Sequence, residues 1–255
     1  MKDEFWFIDN VETIKEKINI LNSQQGPVVS VIVPAYNEEK NILRTIASLS
    51  ETLTTKRVEI MVVDNNSKDK TKEYIMKTGA KYYFEPEPGV DKARNRGLAN
   101  ASGTYVLNAD ADTIYSPYWV DLMINPLIKD ESIACTHGKF SFIPDAGHSR
   151  AKLYMYELIG DIFKKINGAM KDKAMYVYGC SSGYRREQGL AVDGYSHPPG
   201  YNEDGYLGLK LRKEYGRLKQ ITKGKSLAWT SNRKFVDDKT LLSRMFIKLK
   251  YFLKG

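Results

Sequence analysis

The sequence predicts an α/β fold: a mostly parallel, Rossmann-like sheet flanked by helices. Three observations predict it. Short apolar runs recur at 28–33, 58–63, 81–84 and 104–108. Segments of helical period stand between them. Polar loops follow most of the runs. Alternation of this kind specifies parallel strands joined by right-handed crossovers. Ligands on such sheets bind beyond the carboxyl ends of the strands. Functional residues are therefore expected just after positions 33, 63, 84 and 108.

Each element has its own signal. Val11, Ile14, Ile18 and Leu21 recur at helical spacing, and Asp9 with Glu12 resembles a capping box, so a helix is expected over 10–22. Gln24-Gln25-Gly26-Pro27 breaks it, which makes 1–27 an accessory segment. Val28 to Val33 and Val58 to Val63 read as strands buried on both faces. Ile42, Ile46 and Leu49 mark a helix over 38–50, and another follows Asp64-Asn65-Asn66-Ser67 as far as Lys77. Lys81 to Phe84 is a third strand. Pro86-Glu87-Pro88-Gly89 turns into a helix over 90–101, and Thr104 to Asn108 is a fourth strand. Beyond it the pattern is less regular, with helices expected over 117–128, 149–166 and 203–215. A Gly- and Pro-containing loop is expected over 189–202, its part from Gly194 to Tyr201 ordering over bound ligand as a lid.

Composition narrows the class. Hydrophobic residues make up 42% and charged residues 27%, as in globular proteins. The net charge of +8 suits a solvated lysine-rich surface or a phosphate-bearing partner, and no nucleic-acid-binding motif accompanies it. Cys135 and Cys180 are too few for a disulfide framework and sit among apolar or small residues, which points to buried thiols in a reducing compartment. Acids at Asp3 and Glu4 argue against a signal peptide, and no apolar run approaches the ~18 residues of a spanning helix. A cytoplasmic location is expected, with peripheral attachment to the cytoplasmic membrane face as the variant.

Polar clusters stand where the topology asks for them. Pro34-Ala35-Tyr36-Asn37-Glu38-Glu39 follows the first strand, Asp64-Asn65-Asn66-Ser67 the second and Asp110-Ala111-Asp112 the fourth, while Asn202-Glu203-Asp204 opens a later helix. With Lys92-Ala93-Arg94-Asn95-Arg96-Gly97-Leu98 and Ser182-Gly183-Tyr184-Arg185-Arg186-Glu187, this ordered set resembles the family 2 glycosyltransferases of the GT-A fold, over about residues 28–235. The resemblance implies a DxD-containing, inverting hexosyltransferase-type enzyme that takes sugar from a nucleotide-diphosphate sugar, UDP by preference. It implies that Asp112 binds a divalent metal, Mn2+ or Mg2+, and that Asp110 contacts the ribose or supports the metal. Asp110 and Asp112, two apart on an extended segment, can point to the same side, and hard cations prefer such oxygen ligands. Pro34, Ala35, Tyr36 and Glu38, with Ala111, would wrap the nucleoside. Asp64 would accept a ring N–H of uracil or guanine, or form an Asx turn, or both. Arg94 would approach base or diphosphate, or form a surface ion pair.

An acceptor hydroxyl needs a base as the new bond forms. Asp204 is the expected catalytic base and Glu203 the runner-up; favourable placement in the first turn of a helix is the plainer role of both. Thr230-Ser231-Asn232-Arg233-Lys234-Phe235 stands where processive members carry Gln-x-x-Arg-Trp, which favours transfer of a single sugar, and Arg233 and Lys234 are further candidates for the diphosphate. The expected domain spans 28–238, with a nucleotide-binding half at 28–113 and an acceptor-binding half at 114–238. The tail, 239–255, carries Lys239, Arg244, Lys248, Lys250 and Lys254 and no acid, and its apolar residues share one helical face. It reads as an amphipathic helix that lies on an anionic membrane or packs on protein, including a second copy of the chain. Expected partners are the nucleotide-sugar donor and a glycan or lipid-linked acceptor, not nucleic acid. Two alternatives stay open: a sugar nucleotidyltransferase, disfavoured by the lack of a glycine-rich loop after the first strand, and a nucleotide-sugar-binding module without catalysis.

Overall fold

A computed structural model describes residues 4–23, 25–145, 147–168, 174 and 177–233. The tail at 239–255 and Lys234 lie outside the described residues.

The first half follows the expected alternation. Helices α1 (Glu4–Asp9) and α2 (Val11–Asn22) precede β1 (Val29–Ala35), α3 (Ile42–Ser50), β2 (Val58–Asp64), α4 (Thr71–Lys77), β3 (Lys81–Phe84), α5 (Val90–Asn100) and β4 (Tyr105–Asn108). The strands β3, β2, β1 and β4 lie in that order, all parallel. The chain thus winds from β1 toward β2 and then returns to the other side of β1. The crevice between the ends of β1 and β4 is a topological switch point, where this architecture binds ligands.

Strand alternation fills both faces of the sheet. Val29, Val31 and Val33 of β1 meet Ile14 and Ile18 of α2 and Ile42 and Ile46 of α3 in one core. Ile32 joins Met61, Val63, Ala93 and Leu98 in the other. Helix α5 lies so near β1 that a Cβ on Gly97 would strike Ile32 Cγ2. The accessory segment is part of the molecule: Ile18 is fully buried, and Asn22 caps the strand row by accepting from Ile60 N at 2.8 Å.

The second half extends this sheet. After β5 (Thr113–Ile114) and α6 (Trp119–Lys129) come β6 (Ile133–His137), β7 (Phe140–Phe142) and α7 (Arg150–Gly168), then β8 (Ser182–Arg185), α8 (Arg186–Ala191), α9 (Glu203–Tyr215), β9 (Arg217–Gln220) and β10 (Ala228–Thr230). The seven-stranded order is β3-β2-β1-β4-β8-β6-β9, and β8 runs antiparallel to both neighbours. A small sheet, β5-β10-β7, packs beside the switch point. Sequence reading found α6, α7 and α9 but none of β5 to β10. These strands are mostly three to five residues long and their pairings are remote, so local periodicity carries little of the signal.

The loop expected at 189–202 is a loop from 192 onward, but its start is anchored. Tyr195 is fully buried, donating its hydroxyl to Asn108 Oδ1 at 2.6 Å and its backbone N–H to Asn95 Oδ1 at 2.8 Å. A lid could therefore begin only beyond it. Both cysteines are buried and free, as expected, and burial pushes the Cys135 thiol up to about 12.

Candidate functional site

Two asparagines shape the strand exits. Asn37 (φ 53°) and Asn66 (φ 65°) adopt the left-handed region, which a short polar side chain tolerates. The loops after β1 and β2 are then stapled together. Asn37 N donates to Ser67 Oγ at 3.0 Å, Lys68 N donates to Asn37 Oδ1 at 2.8 Å, and Glu38 N donates to Thr71 Oγ1 at 2.7 Å. These bonds hold residues 37–41 in a loop, so α3 begins at Ile42 and not at 38. Asn65 ties in the third loop: its amide donates to Glu85 O and Glu87 O, and its carbonyl accepts from Gly89 N at 2.9 Å.

Asp110 and Asp112 lie on a turn after β4, not on the extended segment expected; Thr113 N donates to Asp110 O at 3.3 Å. Other bonds bring both to the crevice. Tyr115 Oη accepts from Asp110 N and donates to Cys180 O, both at 2.8 Å. Thr113 and Thr230 hydroxyls each donate to Asp112 Oδ1 at 3.3 Å, and Ser231 N donates to Asp112 O. Burial and then the Asp110 charge push the Asp112 carboxyl up. Two crowded carboxylates of this kind fit a hard cation, and they leave coordination positions for phosphate oxygens and water. Among the described residues no group of three or more His, Cys, Asp or Glu forms a cage, so any metal here would rest on this pair and its ligand. Arg233 partners both Glu38 and Asp112, lying 3.4 Å from the latter.

Asp204 sits in the first turn of α9, whose N-cap Asn202 accepts from Gly205 N at 2.6 Å. Arg94, 2% exposed, stands between two acids: Nη2 is 2.8 Å from Asp110 Oδ1 and Nε is 3.3 Å from Asp204 Oδ1. Burial works against its charge, but Asp204 and Asp110 outweigh it and hold the guanidinium protonated. The approach depends on Gly179, where a Cβ would strike both Arg94 and Asp204. Burial pushes the Asp204 carboxyl up to about 7; Arg94 opposes this, while Glu203 and Asp110 add to it. Its buried Oδ1 accepts no hydrogen bond. A buried acceptor in that condition is costly unless a ligand completes it.

Pro34, Ala35, Tyr36, Glu38, Arg94, Asp110, Ala111, Asp112, Glu203 and Asp204 all line one cleft of about 860 Å³. That lies within the roughly 300–1,000 Å³ usual for ligand sites. Asp64 does not line it. Its Oδ1 accepts from Ser67 N at 3.0 Å as an Asx turn, and its Oδ2 accepts from Tyr82 Oη at 3.1 Å. Burial, then the Asp64 charge, pushes that phenol up to about 12, so it stays a donor. Asn65 and Asn66 line the cleft there instead. Arg94 was expected near base or diphosphate, but it is committed to two aspartates. Sequence reading also missed Phe140, Phe142, Tyr156 and Tyr178, which line the cleft from β7, α7 and the segment before Gly179. Only the alternation of Phe140 and Phe142 hinted at them.

Comparison with known proteins adds three findings. The model of the family described as "Glycosyl transferase family 2" matches residues 30–188. An uncharacterized glycosyltransferase of Rickettsia typhi is 32% identical over 142 residues, covering 50% of this chain and 44% of that protein. Chondroitin synthase of Escherichia coli is 30% identical over 129 residues, 48% of this chain and 18% of that one. The chain thus spans less than half the length of these curated relatives. Among solved structures, glucosyl-3-phosphoglycerate synthase from Mycobacterium tuberculosis, in complex with Mn2+, UDP-glucose and phosphoglyceric acid, aligns with a TM-score of 0.58 at 23% identity, over 83% of this chain and 73% of that one. A mannosyltransferase from Pyrobaculum calidifontis, with GDP-mannose and Mn2+, aligns at 0.61 and 18% identity, over 88% and 65%. At such identities the structural likeness establishes the fold, which is the GT-A type.

Proposed function

The chain belongs to glycosyl transferase family 2, and we propose that it moves a single sugar from a UDP-linked donor to an acceptor hydroxyl on a glycan or lipid-linked sugar, with inversion. One observation carries this reading: the acidic pair after β4 and the Asp204 carboxylate line the same switch-point cleft, joined through a buried arginine. In this reading the exit loop Pro34–Glu38 with Asn65 and Asn66 holds the nucleoside. Asp64 supports that loop through Ser67, and its spare lone pairs could still reach a base N–H. Asp112, aided by Asp110, would hold Mn2+ or Mg2+, which when bound offsets the charge of the departing diphosphate.

Asp204 then takes the acceptor proton on its carboxylate. The acceptor oxygen forms a bond to the anomeric carbon as the bond from that carbon to the diphosphate oxygen breaks, and the electron pair leaves with the diphosphate. A single displacement of this kind inverts the carbon. Arg94 holds Asp204 and Asp110 at a fixed separation, and it keeps Asp204 ionised more than burial alone would allow. Arg233 is positioned to meet phosphate oxygens once Asp112 has another cation to face.

No helix among the described residues is long and apolar enough to cross a membrane. The basic amphipathic tail supports peripheral attachment to an anionic membrane surface, on the cytoplasmic side.

The test is a thermal shift with nucleoside diphosphates, with and without manganese, followed by product analysis against a panel of sugar nucleotides. Metal-dependent stabilisation and release of a nucleoside diphosphate are expected. Release of pyrophosphate would mean a nucleotidyltransferase, and stabilisation with neither transfer nor donor hydrolysis would mean a binding module.

A further inference from the structure

The part of the cleft that the donor residues leave over is aromatic. Phe140 and Phe142 stand two residues apart on β7, so both side chains leave the same face of the strand. Their ring centroids are 5.4 Å apart at 80°, and Tyr178 meets Phe140 edge-on at 5.1 Å. Tyr156 of α7 lies 6.2 Å from Phe142. All four line the cleft and none is fully buried. This cluster abuts the base: Tyr178 directly precedes Gly179, whose missing side chain makes room for Asp204.

The cations near this end are paired. The cations among the described lining residues are Lys68, Arg94 and Arg233. None is on the segments that carry the rings, and each is already engaged. Lys68 Nζ donates to Asn66 Oδ1 at 2.7 Å, Arg94 faces Asp110 and Asp204, and Arg233 faces Glu38 and Asp112. The acids beside the rings are Glu203 and Asp204. Arg150, which donates to Phe142 O at 3.5 Å, is held by Glu157, and Lys139 faces Asp161, so no cation among the described lining residues stands at the rings to receive the charge of a phosphorylated or carboxylated acceptor. A pyranose ring offers what the site can use. Its C–H face packs on aromatic faces, and its hydroxyls donate to carboxylates.

We infer that the cluster of Phe140, Phe142, Tyr156 and Tyr178 is the acceptor subsite, and that it takes a neutral sugar ring and not an anionic small molecule. The inference rests on the glycosyltransferase reading above. It separates this chain from the mycobacterial neighbour, whose complex contains phosphoglyceric acid.

The experiment uses the full chain with manganese and whichever UDP-sugar it hydrolyses. Nucleoside diphosphate release above that background is followed with p-nitrophenyl glycosides and short neutral oligosaccharides, with 3-phosphoglycerate, and with a polyprenyl phosphate. Stimulation by a neutral glycoside is expected. Stimulation by the phosphorylated compounds alone, or by none of the acceptors while donor hydrolysis proceeds, overturns the inference. For the neutral acceptor, Phe142→Ala should raise KM roughly tenfold, from loss of stacking and buried contact, without moving UDP affinity measured with manganese. Phe142→Leu preserves bulk without a flat ring and guards against a folding defect; it too should raise KM. An unchanged KM in both variants overturns the assignment. Failure of the broader reading is seen separately, as absence of metal-dependent UDP binding before any acceptor is added.

Discussion

At Asp204, burial and a buried cation pull in opposite directions, and burial wins: the carboxyl titrates near about 7. A base must be ionised to act, so transfer should rise with pH through about 7, when kcat/KM is measured from pH 5.5 to 9. A flat profile would assign the proton to another group. The same shift has a stability cost. The folded pKa lies above the ordinary 3.8 of an aspartate, so the contribution to stability is full below 3.8 and is lost as pH rises through about 7. Asp204→Asn should lower transfer by about 10²–10⁴ while UDP binding is retained, as checked by rates and calorimetry on one preparation. Full activity in that variant rejects the assignment. Asp112→Ala should weaken manganese-dependent UDP binding by at least roughly tenfold, or ~1.4 kcal/mol. An undiminished manganese-dependent affinity in the variant would move the metal site elsewhere. Residue types in the motif suggest these roles; they do not reveal that Arg94 is buried between the two acids, because residues 94, 110 and 204 meet only after α5, β4 and α9 pack.

Elements of the first half are held at the opposite end of the sheet by a buried acid. Glu59 at the start of β2 is 1% exposed and accepts from Ser30 Oγ of β1, from Ser102 N at 2.7 Å beyond α5, and from Lys81 of β3. Burial alone would raise its pKa, but Lys81, Ser30 and Ser102 together lower it below 4.5. With a depressed folded pKa, its contribution is present above 4.5 and is lost as pH falls through the lower folded value. Glu59→Gln should therefore destabilise the chain by about 1–3 kcal/mol at pH 7, and the difference from wild type should shrink in denaturant titrations carried out below pH 4. A constant difference at all pH values would assign the effect to packing. The elements around Glu59 were legible in sequence because each strand is a short buried run and each helix has a clear apolar face. The strands β5 to β10 were not, since their partners lie far away in the chain: β8 pairs with β4 across more than seventy residues.

For the whole molecule, the sheet is continuous across the expected boundary at 113, so the segments before and after it belong to one sheet. The tail after it is a separate question of surface attachment. The full chain should float with anionic vesicles and the chain ending at Asp238 should not, with salt weakening the interaction. Equal flotation of both would assign membrane contact to another surface. By itself the sequence determined the β3-β2-β1-β4 half, the strand ends that border the cleft and the acids at them, because strand and helix periods are local and the crossover hand is general. The tertiary structure alone decided three things: the antiparallel insertion of β8, the pairing of Asp64 with Ser67 and Tyr82, and the gathering of four aromatic rings beside Asp204. Each depends on contacts between segments distant in the chain, where packing and desolvation, not neighbouring residues, set what a side chain can meet.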